Sequence, residues 1–294
     1  MIVDRLIDEI KKKANPTALG LDTCAEYLPD GLRDKITDFR SAARAVLEFN
    51  KNVLDATADL VPAVKLQAAY YEMYGGYGMD AFRDTMEYAK QNGLITIADV
   101  KRNDIASTAA AYSKAYLSRS DIGVAAYGFD FITVNPYLGS DGIEPFLEDC
   151  KERDRGLFVL VKTSNESSSE LQNRALADGR TVYELVSDYV AEWGKDLVGH
   201  YGFSAVGAVV GATQKEELAA LRKRHGKMFF LIPGYGAQGG SADALAAAFD
   251  DGAGAVVNNS RGIIRAHKKF PGLKYCDAAR KAAILMKEDL ARIF

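Results

Sequence analysis

Apolar residues along this chain fall into short, near-continuous runs, separated by longer stretches in which they recur at helical spacing. The runs are Thr17–Leu21, Ala63–Leu66, Ile95–Val100, Phe131–Val134, Leu157–Val161, Ala205–Val210, Phe229–Ile232 and Ala255–Val257. Runs that are apolar at successive positions, rather than at alternate ones, suit parallel strands buried on both faces. Between them, Ile36–Thr57 carries a helical repeat, and Asp80–Gln91 does so up to a stop signal at Asn92-Gly93. Val182–Leu197 shows a stripe of Val182, Leu185, Val186, Tyr189, Val190 and Trp193, and Lys215–Arg224 and Ala242–Phe249 are helical by the same test. The opening segment, MIVDRLIDEIKKKANP, is an amphipathic helix. This β–α alternation predicts one (β/α)8 TIM barrel over residues 1–294, with an N-terminal helix and loop insertions. A doubly wound open sheet is the alternative.

No Gly/Ser/Pro-rich linker divides the chain. The polar segment Thr163–Gly179 follows the fifth run. Loops after barrel strands carry the chemistry, which makes this one a candidate lid; a tolerated surface insertion is the other reading. Hydrophobic residues at 48% and charged residues at 26% are ordinary globular usage, enough for a core without metal or disulfide staples. Lys+Arg number 37 against 40 Asp+Glu, so no basic excess points to nucleic acid, although a local basic pocket for a small anion stays open. Cys24, Cys150 and Cys276 lie far apart with no C-x-x-C pair, and the N-terminus lacks the apolar core of a signal peptide. No run approaches the ~18 apolar residues of a membrane span. These features predict a soluble, cytoplasmic protein.

The segment Ile95–Thr108, ITIADVKRNDIAST, is the most informative. Asp99 and Lys101 stand two apart on a strand and so share a face, the face of Ile95 and Ile97. If that face lines the barrel, both charges sit at its inner mouth, with Asp104 just past the strand end. Burying a charge costs several kcal/mol unless it is paired. A lone D-x-K is adequately explained as a structural ion pair. Lys65, in PAVKLQ at the end of the neighbouring second strand, changes that balance. Two lysines and two aspartates converging on one mouth are expensive as scaffolding and useful as a preorganised electrostatic site.

A second constellation lies near the other end of the chain. The seventh run leads into PGYGAQGGS, residues 233–241, and the eighth into NNSRGI, residues 258–263. Barrels commonly hold phosphate on such loops, through backbone N–H groups and a helix N-terminus. Arg261 can add charge-assisted hydrogen bonds. The histidines His200, His225 and His267 have no metal-ligand spacing, and neither G-x-S-x-G nor a Walker-type motif occurs. The cluster Tyr70, Tyr71, Tyr74, Tyr77 is explained by packing of an extra helix or a subunit contact.

With Asp99-x-Lys101-x-x-Asp104-Ile105 beside Lys65 and the two glycine-rich loops, the sequence resembles the orotidine 5′-phosphate decarboxylases. The Thr163-Ser164-Asn165 and Val210-Gly211-Ala212-Thr213 segments look like the longer-chain bacterial subfamily. The likeness runs from Gly20-Leu21-Asp22 to Arg261-Gly262-Ile263. D-x-K-x-x-D alone is shared with related sugar-phosphate barrels; its combination with Lys65, Gln238 and Arg261 is more specific. The resemblance implies decarboxylation of orotidine monophosphate to uridine monophosphate in pyrimidine synthesis, with no cofactor and no metal. It assigns Lys101 as the acid that protonates pyrimidine C6, Asp99 as the group facing the departing carboxylate, and Lys65 as the group orienting the network and contacting the ribose. Asp104 and Thr108 would reach into a partner subunit's site, which implies a homodimer with shared sites. Asp22 matches a ribose-binding aspartate and Ser164 a serine bonding the pyrimidine. Gln238 and Arg261 match the phosphate-loop pair, and Asn135 is left without a role.

Two rival readings are compatible with the sequence. One is a Mg²⁺-dependent decarboxylase or synthase acting on a sugar phosphate; those relatives carry an acidic residue where this chain has Lys65, and a lysine there repels a metal. The other is a catalytically silent barrel that binds nucleotide.

Overall fold

The computed structural model describes residues 1–236, 241–250 and 252–294. Eight parallel strands close into a barrel in sequence order: β1 Thr17–Leu21, β2 Ala63–Gln67, β3 Ile95–Arg102, β4 Phe131–Val134, β5 Gly156–Lys162, β6 Val206–Val210, β7 Phe230–Ile232 and β8 Ala255–Asn259. β8 pairs back onto β1, with Thr17 opposite Val257, so no sheet edge is left open. The (β/α)8 barrel expected from the apolar runs is the fold observed, with strand ends displaced by a few residues at most.

Aromatic rings fill part of the barrel interior. Phe131 and Phe158 stack at 5.0 Å between ring centres, and Phe158 lies 6.4 Å from Phe229. Each contributes about 1.5–3 kcal/mol by leaving water. The packing depends on Gly156, where a Cβ would lie only 2.2 Å from the Phe131 ring. The N-terminal helix, Ile2–Lys13, buries Ile2, Val3, Leu6, Ile7 and Ile10 completely. Its polar contacts go to segments that precede strands. Ile2 N donates to Asp154 before β5, and Lys13 Nζ donates to the Ala58 and Val61 carbonyls before β2. It therefore covers the N-terminal end of the barrel and leaves the opposite mouth free.

The helical stretches differ from the expectation mainly at their ends. The helix expected from Ile36 starts at Phe39, because the Asp38 side chain accepts from Ser41 N at 2.7 Å and caps it there. The helix expected from Asp80 begins at Gly75, and Val182–Leu197 is helical only to Trp193. Ala242–Phe249 splits into a short α-turn, Ala242–Leu245, and a 3-10 turn, Ala246–Ala248. Thr163–Gly179 holds a helical turn at Ser168–Leu171. Its base is tied by two bonds, Thr163 N to Gln172 Oε1 at 2.9 Å and Gln172 Nε2 to Thr163 Oγ1 at 2.8 Å.

Candidate active site

A cavity of about 590 Å³ opens at the C-terminal mouth of the barrel. Asp22, Lys65, Asp99, Lys101, Ser164 and Arg261 all line it. Six of the nine side chains singled out from the sequence thus converge on one space. Gln238 lies outside the described residues. Asp104 and Thr108, on the loop and helix after β3, do not line this cavity, and Thr108 is exposed.

The charged groups form a linear array of alternating sign. Lys65 Nζ lies 3.3 Å from Asp22 Oδ1 and 2.7 Å from Asp99 Oδ2, and Lys101 Nζ lies 2.6 Å from Asp99 Oδ1. Strand pairing explains why the charges of β2 and β3 meet, since Lys65 is in register with Ile97 and Gln67 with Asp99. Burial works against the Lys65 charge, but the Asp22 and Asp99 carboxylates outweigh it and hold the ammonium above the ordinary lysine range. Burial likewise opposes ionisation of Asp99, yet Lys65 and Lys101 hold its carboxyl well below the usual carboxylate range. Both groups are therefore charged at neutral pH, within a site where charges interact strongly.

Asp99 has two further partners that the sequence reading missed. Gln67 Nε2 donates to Asp99 Oδ2 at 3.0 Å, and Thr133 Oγ1 donates to Asp99 Oδ1 at 3.0 Å. Gln67 could have been found, because it stands two residues beyond Lys65 and shares its face. Thr133 is the one polar residue in Phe131–Val134, which was a signal of an inward side chain.

Lys101 reaches the cavity by a route that strand alternation does not describe. Ala98 pairs with Ile132 and Arg102 with Val134, so Asp99, Val100 and Lys101 stand opposite Thr133 alone. β3 therefore bulges, and Lys101 takes a left-handed φ of 48°. That conformation costs a non-glycine residue about 1–2 kcal/mol. The bulge turns Lys101 outward enough that its side chain is 44% exposed, while Asp99 behind it stays buried.

Arg261 and the Gly234–Tyr235 turn border the cavity on its β7–β8 side. Gly262 packs against the Asn259 carboxamide, where a Cβ would lie 2.5 Å from Oδ1, and its N–H donates to that same oxygen. The close approach fixes the chain directly after Arg261. Asn258, also lining the cavity, keeps its buried Oδ1 without a partner among the described residues. Among the described residues no three His, Cys, Asp or Glu side chains gather as a metal-binding group.

Fold and site together define a (β/α)8-barrel enzyme with a buried Lys–Asp array on one side of its mouth and an arginine on the other. The chain belongs to the orotidine 5′-phosphate decarboxylase / HUMPS family, whose model matches residues 37–270. It is 41% identical over 294 residues to the orotidine 5′-phosphate decarboxylase of Clostridium novyi (strain NT), covering 99% of each chain. The enzyme of that name from Rhodopirellula baltica is 46% identical over 290 residues, covering 96% of each. Among solved structures, Leishmania donovani OMP decarboxylase superposes with a TM-score of 0.76 at 30% identity, covering 99% of this chain and 98% of that one.

Proposed function

We propose that this chain decarboxylates orotidine 5′-phosphate to uridine 5′-phosphate and CO₂ in pyrimidine biosynthesis, without a metal or organic cofactor. The observation that carries the proposal is the Asp22–Lys65–Asp99–Lys101 array on the cavity wall. Loss of CO₂ from C6 of the pyrimidine leaves an electron pair in an in-plane orbital that the ring cannot delocalise. A fixed ammonium beside that carbon stabilises the developing charge. The C6–carboxylate bond breaks, its electron pair remains on C6, and a proton moves from Lys101 Nζ to that pair. The amine left on Lys101 regains its proton from solvent, which its exposure allows.

Asp99 holds the Lys101 ammonium at 2.6 Å and faces the substrate carboxylate, whose departure relieves the repulsion between them. Lys65 lies between the Asp22 and Asp99 carboxylates and screens their repulsion, and in this reading Asp22 binds a ribose hydroxyl. Lys65 already bridges the two carboxylates, so a divalent cation would have to displace a buried ammonium to use them. The donor set thus favours the metal-free reading over the Mg²⁺-dependent one. Arg261 takes the phosphate together with Gln238, and Ser164 takes the pyrimidine edge. Phosphate binding is remote from C6 and lends its energy to closing the site and excluding water; Thr163–Gly179 is the segment we assign to that closure.

We further propose a homodimer in which Asp104 and Thr108 complete the partner's site. Neither lines its own cavity, and Ile105, Tyr137 and Leu138, on the loops after β3 and β4, are exposed apolar residues suited to a second copy. The three cysteines are free, and no helix among the described residues is long and apolar enough to cross a membrane. Both observations accord with the cytoplasm. Lys101→Ala should abolish turnover of orotidine 5′-phosphate while uridine 5′-phosphate still binds. Near-normal decarboxylation by that variant would overturn the assignment of the acid.

A further inference from the structure

We infer that Thr133 is a positioning residue for the decarboxylation proposed above, its hydroxyl setting the Asp99 carboxylate and the Lys101 backbone in one geometry. Thr133 is 1% exposed, and its hydroxyl touches three groups. Val100 N and Lys101 N both donate to Oγ1 at 3.0 Å, and Oγ1 lies 3.0 Å from Asp99 Oδ1. A hydroxyl has one proton and two lone pairs. The two amides take both lone pairs, so its single proton is directed to the carboxylate. Every hydrogen-bonding capacity is used, and each use falls on the reacting segment.

The placement follows from register. Three residues of β3 stand opposite this one residue of β4, so Val100 and Lys101 lose their ordinary ladder acceptors. Thr133 supplies the acceptor for both. The hydroxyl thereby holds the bulge in which Lys101 is left-handed and its ammonium is returned to Asp99. A valine at this position has the same shape, but leaves two amides unpaired and frees the carboxylate on one side.

The test is steady-state kinetics on Thr133→Val and Thr133→Ser, with uridine 5′-phosphate affinity measured by calorimetry. Thr133→Val should lower kcat about 10–100-fold, the scale on which a small misplacement of reacting groups is felt, with KM and product affinity little changed. Thr133→Ser, which keeps the hydroxyl, should stay within about threefold of wild type. Equal losses in both variants would show that activity does not follow the hydroxyl and would overturn the inference. Wild-type kcat in Thr133→Val, within an active wild-type background, would overturn it too while leaving the functional reading standing. Absence of turnover by the wild type overturns both. Should Thr133→Val fail to fold, Thr133→Ser against Thr133→Ala isolates the same hydroxyl, and equal kcat in that pair contradicts the inference.

Discussion

Lys101 combines a chemical role with a backbone conformation that its side chain makes costly, and two substitutions separate them. Lys101→Ala and Lys101→Gly both remove the ammonium and its pairing with Asp99. They differ in how the residue tolerates φ of 48° and in the freedom of the unfolded chain. Alanine still pays about 1–2 kcal/mol for the left-handed region; glycine escapes that but loses about 0.5–1 kcal/mol through its freer unfolded chain, a net gain of about 0.5–1 kcal/mol. At about 2 cal/mol/K per residue, a chain of this length has an unfolding entropy near 0.6 kcal/mol/K, so the glycine variant should melt about 1–2 °C above the alanine variant. Both should lose at least about 10⁴-fold in kcat, since proton donation and charge stabilisation vanish together. The assays are differential scanning calorimetry and loss of orotidine 5′-phosphate absorbance. If Lys101→Ala melts at or above Lys101→Gly, the left-handed bulge is not the solution conformation. If either variant turns over at a substantial fraction of the wild-type rate, Lys101 is not the acid.

Arg261→Ala should weaken uridine 5′-phosphate about 10–100-fold, the range expected for a charge-assisted hydrogen bond, and leave uridine affinity unchanged. Calorimetry with both ligands checks this, and equal losses for the two would remove Arg261 from the phosphate. Asp99→Asn should cost about 3–5 kcal/mol at pH 7, because it breaks a buried pair and leaves Lys65 short of a partner. Asp99 is depressed in the folded state, so its contribution is complete above the unfolded value of 3.8 and fades as pH falls through the lower folded value. Urea titrations should therefore show a gap to wild type that is flat from pH 7 to 5 and narrows only below about 4; a gap that closes between pH 7 and 5 contradicts the assignment. Lys101→Ala and Asp104→Ala should each be inactive alone. Mixed with subunit exchange they should recover about a quarter of wild-type activity, one intact site per heterodimer. No recovery would count against shared sites.

The barrel was legible because buried parallel strands leave uninterrupted apolar runs, and each of the eight runs marks an observed strand. Helices were less evenly marked. Ala106–Tyr116 is one of those left unmarked, since its alanines, serines and lysine form no apolar stripe. In the site, Lys65, Asp99 and Lys101 stood out because charges in strands are rare, and their pairing across β2 and β3 followed from neighbouring strand order. The bulge at Lys101 was not readable. Alternation along Ile95–Val100 gives the right face for Lys101, yet the structure reaches it through a two-residue excess against Thr133. That excess is a relation between two strands and leaves no trace in either one. Gln67 was missed by ending β2 at Leu66, one residue short.

The central claim is tested most directly by following orotidine 5′-phosphate absorbance with purified protein, with and without excess EDTA. Rapid loss of substrate, equal in both, is the result expected of an ammonium-driven decarboxylation in which Lys65 stands between the carboxylates. No loss of orotidine 5′-phosphate, together with consumption of a sugar phosphate only when Mg²⁺ is supplied, would contradict that claim.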